Sequence, residues 1–202
     1  MGHKELSNRE NWESKSGKKA QIVEQNLIRA FENHFLNSDF EIIDHPDQLK
    51  NLYSQVELSK EEEEQIYKPN IDIAEKKWGV SPDFAIKNNK TQKILFGEIK
   101  RQDGWVEGKS PNAGRGNAHE RLCKLFTPGL LKAYKTISKI DEQNFLPFWV
   151  VFQGDITRDP KRVREITYWF DTYKRNYFFW RPTMTDQDLI QFFEKWIKQY
   201  LL

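Results

Sequence analysis

The stretch "SPDFAIKNNKTQKILFGEIKR", residues 81–101, sets Asp83, Glu98 and Lys100 among apolar, strand-forming residues. Charge at the end of a buried strand costs free energy unless it is paired or holds a metal. Two carboxylates in reach of one another form a site for a hard divalent cation such as Mg²⁺, which also accepts waters and phosphate oxygens. A cation held there polarises a phosphodiester and acidifies a bound water, while a neighbouring lysine positions that water and balances the charge. These residue types therefore point to phosphodiester hydrolysis. The blander reading is a surface hairpin with an ion pair between Lys100 and either acid. A glycosidase built on the carboxylate pair would leave Lys100 without a role.

Whether the three residues meet depends on strand register. A turn centred on Asn89 to Gln92 sets Asp83 directly across from Glu98. Directly opposed residues have Cβ atoms roughly 4.5–5.5 Å apart. Lys100, two residues beyond Glu98, then projects from the same face. Ala85, Ile94 and Phe96 continue that face inward, and Phe84, Ile86, Leu95 and Ile99 fill the other. Both faces read as buried, so the charges sit at the rim of a covered sheet. A bulge would shift the pairing by one residue and disperse them.

A second chemical motif, "GRGNAHER" (residues 114–121), follows the long loop "RQDGWVEGKSPNAGRG". Gly114 and Gly116 allow close backbone approach to a groove, and Asn117 opens a helix whose N-terminus favours phosphate. Asn117 and Arg121 lie four apart, on one helical face. Asparagine pairs bidentately with adenine, arginine with guanine or with adenine N7, and Ala118 can touch a thymine methyl. Guanine is likewise the usual target for Arg115. Taken singly, Asn117 reads as a helix cap and Arg121 as a surface charge.

The rest of the chain must position these groups. Its 202 residues, 38% hydrophobic and 14% aromatic, suit a single domain over 1–202 with a real core. The apolar stretches are too short for a transmembrane helix, so no membrane is expected, and the first residues lack the apolar region of a secretory signal. One cysteine, Cys123, and four scattered histidines exclude an internal disulfide and zinc spacing, which suits a cytosolic protein. Net charge is only +2, but residues 100–135 hold eight Lys/Arg against three acids, while Glu57 and Glu61 to Glu64 form an acidic stretch. Segregation of this kind suits one basic face.

Periodicity predicts a helix over 17–37, with Val23, Leu27, Ala30, Phe31 and Phe35 on its apolar stripe, then a short strand "FEII". Ser59 and Glu62 form a possible capping box for a helix ending near Pro69. After the hairpin, one helix should begin near Asn117 and a second run from Thr127 and Pro128 to about Ser138. "PFWVVFQ" reads as a buried strand. Residues 159–173 and 185–201 read as helices, the last with Leu189, Phe192, Trp196 and Tyr200 inward. The order suits a mixed sheet flanked by helices.

Gly-Asn-Ala-x-Glu-Arg, residues 116–121, matches the recognition segment of the EcoRI restriction endonuclease, with His119 where that enzyme has isoleucine. Five fixed residues recur by chance on the order of once in 10⁴ chains of this size. With Pro82-Asp83, Glu98 and Lys100 upstream, the sequence resembles the EcoRI-like branch of the PD-(D/E)xK nucleases. The resemblance implies an α/β core with a mixed five-stranded sheet flanked by helices. It implies a prokaryotic, cytoplasmic type II restriction endonuclease, a homodimer acting on a palindromic hexamer of double-stranded DNA. Cleavage would depend on Mg²⁺ and leave 5′-phosphate and 3′-hydroxyl ends. Asp83, Glu98 and the backbone carbonyl of Ile99 would hold the metal, and Lys100 would position the attacking water. Asn117, Ala118 and Arg121, following Gly116, would read an inner AATT, and Arg115 the outer pair. The whole chain resembles one member of that branch in particular, and this narrower likeness implies CAATTG cut after the outer C, giving a 5′ overhang. Many members add a glutamate from the first helix; Glu24 is the nearest candidate, but no motif supports it and the expected site omits it. Alternatives are a structure-selective repair nuclease of the same fold and a silent DNA-binding protein, the latter at odds with an intact Asp83, Glu98 and Lys100.

Overall fold

An unbroken apolar run along a strand needs a sheet covered on both faces, and the chain builds one. The computed structural model describes residues 20–66, 78–102, 120–156 and 158–202. Five strands lie in the order β1 (Phe40–Asp44), β2 (Phe84–Asn88), β3 (Ile94–Arg101), β4 (Phe148–Gln153) and β5 (Tyr177–Trp180). The first three pair antiparallel, whereas β3 with β4 and β4 with β5 pair parallel, so the sheet is mixed. In the hairpin Phe84 faces Gly97, Ala85 faces Phe96 and Ile86 faces Leu95, the register expected from the sequence. Asn88 donates its backbone N–H to the Lys93 carbonyl across the turn at 3.0 Å.

Both sheet faces are covered. On one, Leu27, Phe31 and Phe35 of α1 (20–35) and Leu189 and Ile190 of α5 (Asp186–Phe192) pack on Phe84, Ile86, Leu95, Trp149 and Val151. On the other, Leu130 and Tyr134 of α3 (Pro128–Ser138) and Ile166 and Phe170 of α4 (Lys161–Phe170) cover Ala85, Phe96, Val150 and Phe152. Parallel neighbours need a crossover; α3 lies between β3 and β4 in the chain, and α4 between β4 and β5.

The helical stripe expected around Leu27 is buried as expected, and Ser59 and Glu62 do form a reciprocal capping box. That helix, α2 (Lys60–Glu63), is a single turn; the stretch towards Pro69 lies outside the described residues from 67 onward. The C-terminal stripe is rotated from its expected position. Leu189, Phe193, Ile197 and Leu201, spaced by four, are fully buried, while Phe192, Trp196 and Tyr200 are partly buried beside them. Beyond α5 the chain adopts one wide and one tight turn over Phe193–Ile197 and Lys198–Tyr200, keeping that spacing on the core. Strand β5, "YFFW", has no counterpart in the sequence reading; its aromatic residues suit a pleated, half-buried edge. No helix among the described residues is long and apolar enough to cross a membrane.

Gly97 fixes how closely the hairpin can fold. Its missing side chain leaves room for the Phe84 ring, which a Cβ at position 97 would overlap. Phe84 is fully buried and meets Trp149 edge-on, with ring centroids 6.1 Å apart, so it has nowhere to retreat. Gly97→Ala is expected to destabilise the fold by roughly 1–3 kcal/mol through overpacking. Phe84→Leu in the same chain should restore part of the loss; urea unfolding of the single and double variants checks both.

Candidate active site

Asp83 stands immediately before β2 and is fixed from two sides. Its N–H donates to the Gly97 carbonyl at 3.0 Å, and its carbonyl accepts from the His45 N–H at 3.1 Å. The side chain is held as well, because the Ile99 N–H donates to Asp83 Oδ2 at 2.6 Å. Glu98 and Lys100 leave β3 on the same face. The Lys100 ammonium lies 2.5 Å from Glu98 Oε2 and 3.7 Å from Asp83 Oδ2, bridging the two acids. Expected as alternatives, the two ion pairs occur together. Side-chain exposure falls from 25% at Asp83 through 18% at Lys100 to 7% at Glu98, so the group sits at a rim, with Glu98 innermost.

Burial dominates the electrostatics. It pushes the Glu98 carboxyl above its ordinary value, and the charge of Asp83 adds to the rise while Lys100 opposes it. Burial alone would lower Lys100, but Glu98 and Asp83 outweigh it and hold the ammonium above its usual range. Two carboxylates beside one cation leave a negative surplus. Oxygen donors with that surplus fit a hard divalent cation, and Glu98 could serve one with Oε2 once Lys100 had moved from it. Lys124, on the exposed surface of the tight-helical stretch Glu120–Phe126, adds positive potential that Glu98 feels.

A second cluster adjoins the first. Glu24 of α1, Asp44 at the end of β1 and His45 converge so that one ligand atom from each lies within 4.8 Å of the others. His45 Nδ1 is 2.6 Å from Asp44 Oδ1 and 3.3 Å from Glu24 Oε1. The Glu24 carboxyl is raised by partial burial and next by the charge of Asp83, which places it within electrostatic range of that acid. The fold thus brings in a carboxylate that the sequence reading set aside. A signal was present, since Glu24 shares a helical face with Leu27 and Phe31 of the buried stripe.

Arg121 is exposed on Glu120–Phe126, a tight helix where an α-helix was expected. Its segment is anchored by Leu122 and Leu125, both in the core. Arg115, Gly116, Asn117 and Ala118 lie outside the described residues, as does the start of the helix expected near Asn117. For Ile99 the structure shows the amide, engaged with Asp83.

Comparison with known proteins bears directly on this arrangement. The profile of the family described as "Type II restriction enzyme MunI" matches residues 1–202. The Type II restriction enzyme MunI of a Mycoplasma species is 59% identical over 201 residues, covering all of both chains. A crystal structure of MunI restriction endonuclease in complex with cognate DNA superposes with a TM-score of 0.81 at 58% identity, covering 95% of this chain and 98% of that one.

His45 offers a check on the cluster that needs no substrate. The hydrogen bond with Asp44 raises its basicity above the ordinary 6.5, and the charge of Glu24 adds to the effect. A raised value means the folded state binds the proton more tightly. The resulting stability is fully present below the unfolded value and is lost as pH rises through the folded one. The melting-temperature difference between wild type and His45→Gln should therefore shrink as pH climbs from 6.5 through that higher value. A difference independent of pH would show that the imidazole carries no such charge.

Proposed function

The chain belongs to the MunI family of type II restriction enzymes and is a site-specific endonuclease, and from that premise we propose its substrate, metal and residue roles. It cleaves both strands of palindromic DNA at CAATTG, after the outer C, with Mg²⁺, leaving 5′-phosphates on a 5′ overhang. The observation that carries this reading is the Lys100 bridge between Asp83 and Glu98 at the end of a register-locked hairpin.

Asp83, Glu98 and the Ile99 carbonyl would hold the metal. A bound Mg²⁺ supplies Lewis acidity to the phosphodiester and to a bound water. Asp83 is pre-oriented by the Ile99 amide, so its carboxylate needs little reorganisation to act. Lys100, displaced from Glu98, would orient the attacking water and stay protonated, as its two acidic neighbours favour. Arg115 would read the outer C·G pair, and Gly116, Asn117, Ala118 and Arg121 the inner AATT. The solved relative in complex with cognate DNA and the exposure of Arg121 support DNA as the ligand. Two copies related by a twofold axis would place one site on each strand of a palindrome, with residues 1–202 as one functional unit in the cytoplasm of a prokaryotic cell.

Asp83→Ala and Glu98→Ala should each abolish plasmid cleavage in Mg²⁺ while retaining binding to the cognate duplex, because each removes a charged ligand, Asp83 from the rim and Glu98 from just inside it, and neither belongs to the apolar core clusters. Full cleavage by either would refute the metal assignment.

The specificity test uses hexamers varied in their central four base pairs. Each inner exchange should cost roughly 1–3 kcal/mol of discrimination. Arg121→Lys should harm cleavage nearly as much as Arg121→Ala, since lysine lacks the planar two-point fork. Equal cutting of all central sequences by wild type would sink the AATT reading.

A further inference from the structure

The catalytic face of the sheet is covered by a tyrosine whose hydroxyl does nothing in the free protein. Tyr134 of α3 is fully buried, and its hydroxyl is sealed from solvent without a hydrogen-bond partner. Its ring meets Phe96 edge-on with centroids 5.2 Å apart at 89°, and Phe148 at 5.8 Å. Phenylalanine would satisfy every one of those contacts. An unbonded buried hydroxyl carries a desolvation penalty that phenylalanine would avoid, so the oxygen needs another explanation.

Its surroundings supply one. Phe96 precedes Glu98 by one repeat on the same face of β3, so the ring lies along the row that ends in the catalytic acids. Burial chiefly, and the charge of Glu98 next, make the phenol harder to ionise; Asp83 contributes less. The hydroxyl thus stays a proton donor in the field of Glu98. In the free protein Glu98 Oε2 is taken by Lys100 at 2.5 Å. A divalent cation that took Oε2 would displace that ammonium and deprive Glu98 of this donor.

We propose that Tyr134 is a positioning residue for Glu98. Its hydroxyl donates a hydrogen bond to the carboxylate, directly or through one water, once Lys100 has been displaced. The exchange keeps the innermost ligand hydrogen-bonded in both states, as supporting partners do for ligating carboxylates generally. The idea rests on Glu98 being a metal ligand, and its test separates the two claims.

Tyr134→Phe removes a single oxygen. Mn²⁺ is titrated into wild type, Tyr134→Phe, Glu98→Ala and the control Tyr177→Phe, whose hydroxyl bonds Thr167 at 3.3 Å. Loss of the free-ion electron spin resonance signal reads binding, with and without a cognate duplex. Tyr134→Phe should bind Mn²⁺ about ten- to a hundred-and-fifty-fold more weakly, the range that one lost hydrogen bond to a charged group allows. Its melting temperature should equal or exceed that of wild type, and Tyr177→Phe should bind as wild type does. In cleavage, half-saturating Mg²⁺ should rise while the rate at saturating Mg²⁺ is retained. Unchanged Mn²⁺ affinity in Tyr134→Phe, with Glu98→Ala impaired, would overturn the Tyr134 inference alone. Unchanged affinity in Glu98→Ala would overturn the ligand assignment beneath it.

Discussion

One ammonium between two carboxylates organises this molecule. Asp83, just before β2, and Glu98, on β3, both reach Lys100, and Glu98 is almost sealed from water, where like charges repel strongly. Lys100 offsets the repulsion in the free protein, and the same geometry leaves a negative surplus that a divalent cation can neutralise. The arrangement exists only in one register. A shift of one residue would turn Glu98 and Lys100 into the opposite core and bring Ile99 to the rim.

Several features hold that register. Gly97 admits the Phe84 ring, which locks the hairpin on the side away from the charges. The turn is tied to the end of the chain, since Asn88 and Thr91 side chains donate to the Leu201 carbonyl at 3.0 and 2.7 Å. On the far side, the buried Asn176 amide binds the backbone of Leu146 and Phe148, fixing the start of β4 against which β3 lies. Glu98 and Lys100, on a central, doubly covered strand, are thereby held within small tolerances, the kind of positioning that catalysis rewards.

The polar surroundings reach beyond the motif. Glu24, Asp44 and His45 bring a second acidic cluster to within electrostatic range of Asp83, and Lys124 adds positive potential felt by Glu98. Lys124 and Arg121 both stand exposed on Glu120–Phe126, where a polyanion meets favourable charge, while a cation reaching the acids meets carboxylate oxygen.

Much of this was legible in residue order. Phe84, Ala85, Ile86 and Leu95, Phe96 are two short apolar runs, and the polar turn between them sets which residues pair. The register from Phe84 to Lys87 and the meeting of Lys100 with Glu98 followed from that alone. Leu27, Phe31 and Phe35 likewise declared their stripe, because helical period is local too. Other features are not local. Glu24 lies far along the chain from Asp83, and no spacing rule joins a helix to a hairpin; only packing of α1 against the sheet does. The inward stripe of the last helix could be written from Phe192, Trp196 and Tyr200 or from Phe193, Ile197 and Leu201, since both sets are apolar with period four. The sheet decided by offering one groove, and the aromatic edge strand β5 was settled in the same way, by a neighbour with open hydrogen-bonding groups. Sequence determined the chemistry and the register, which depend on adjacent residues. Tertiary structure decided which distant charges join them, because that depends on surfaces that exist only once the layers have packed.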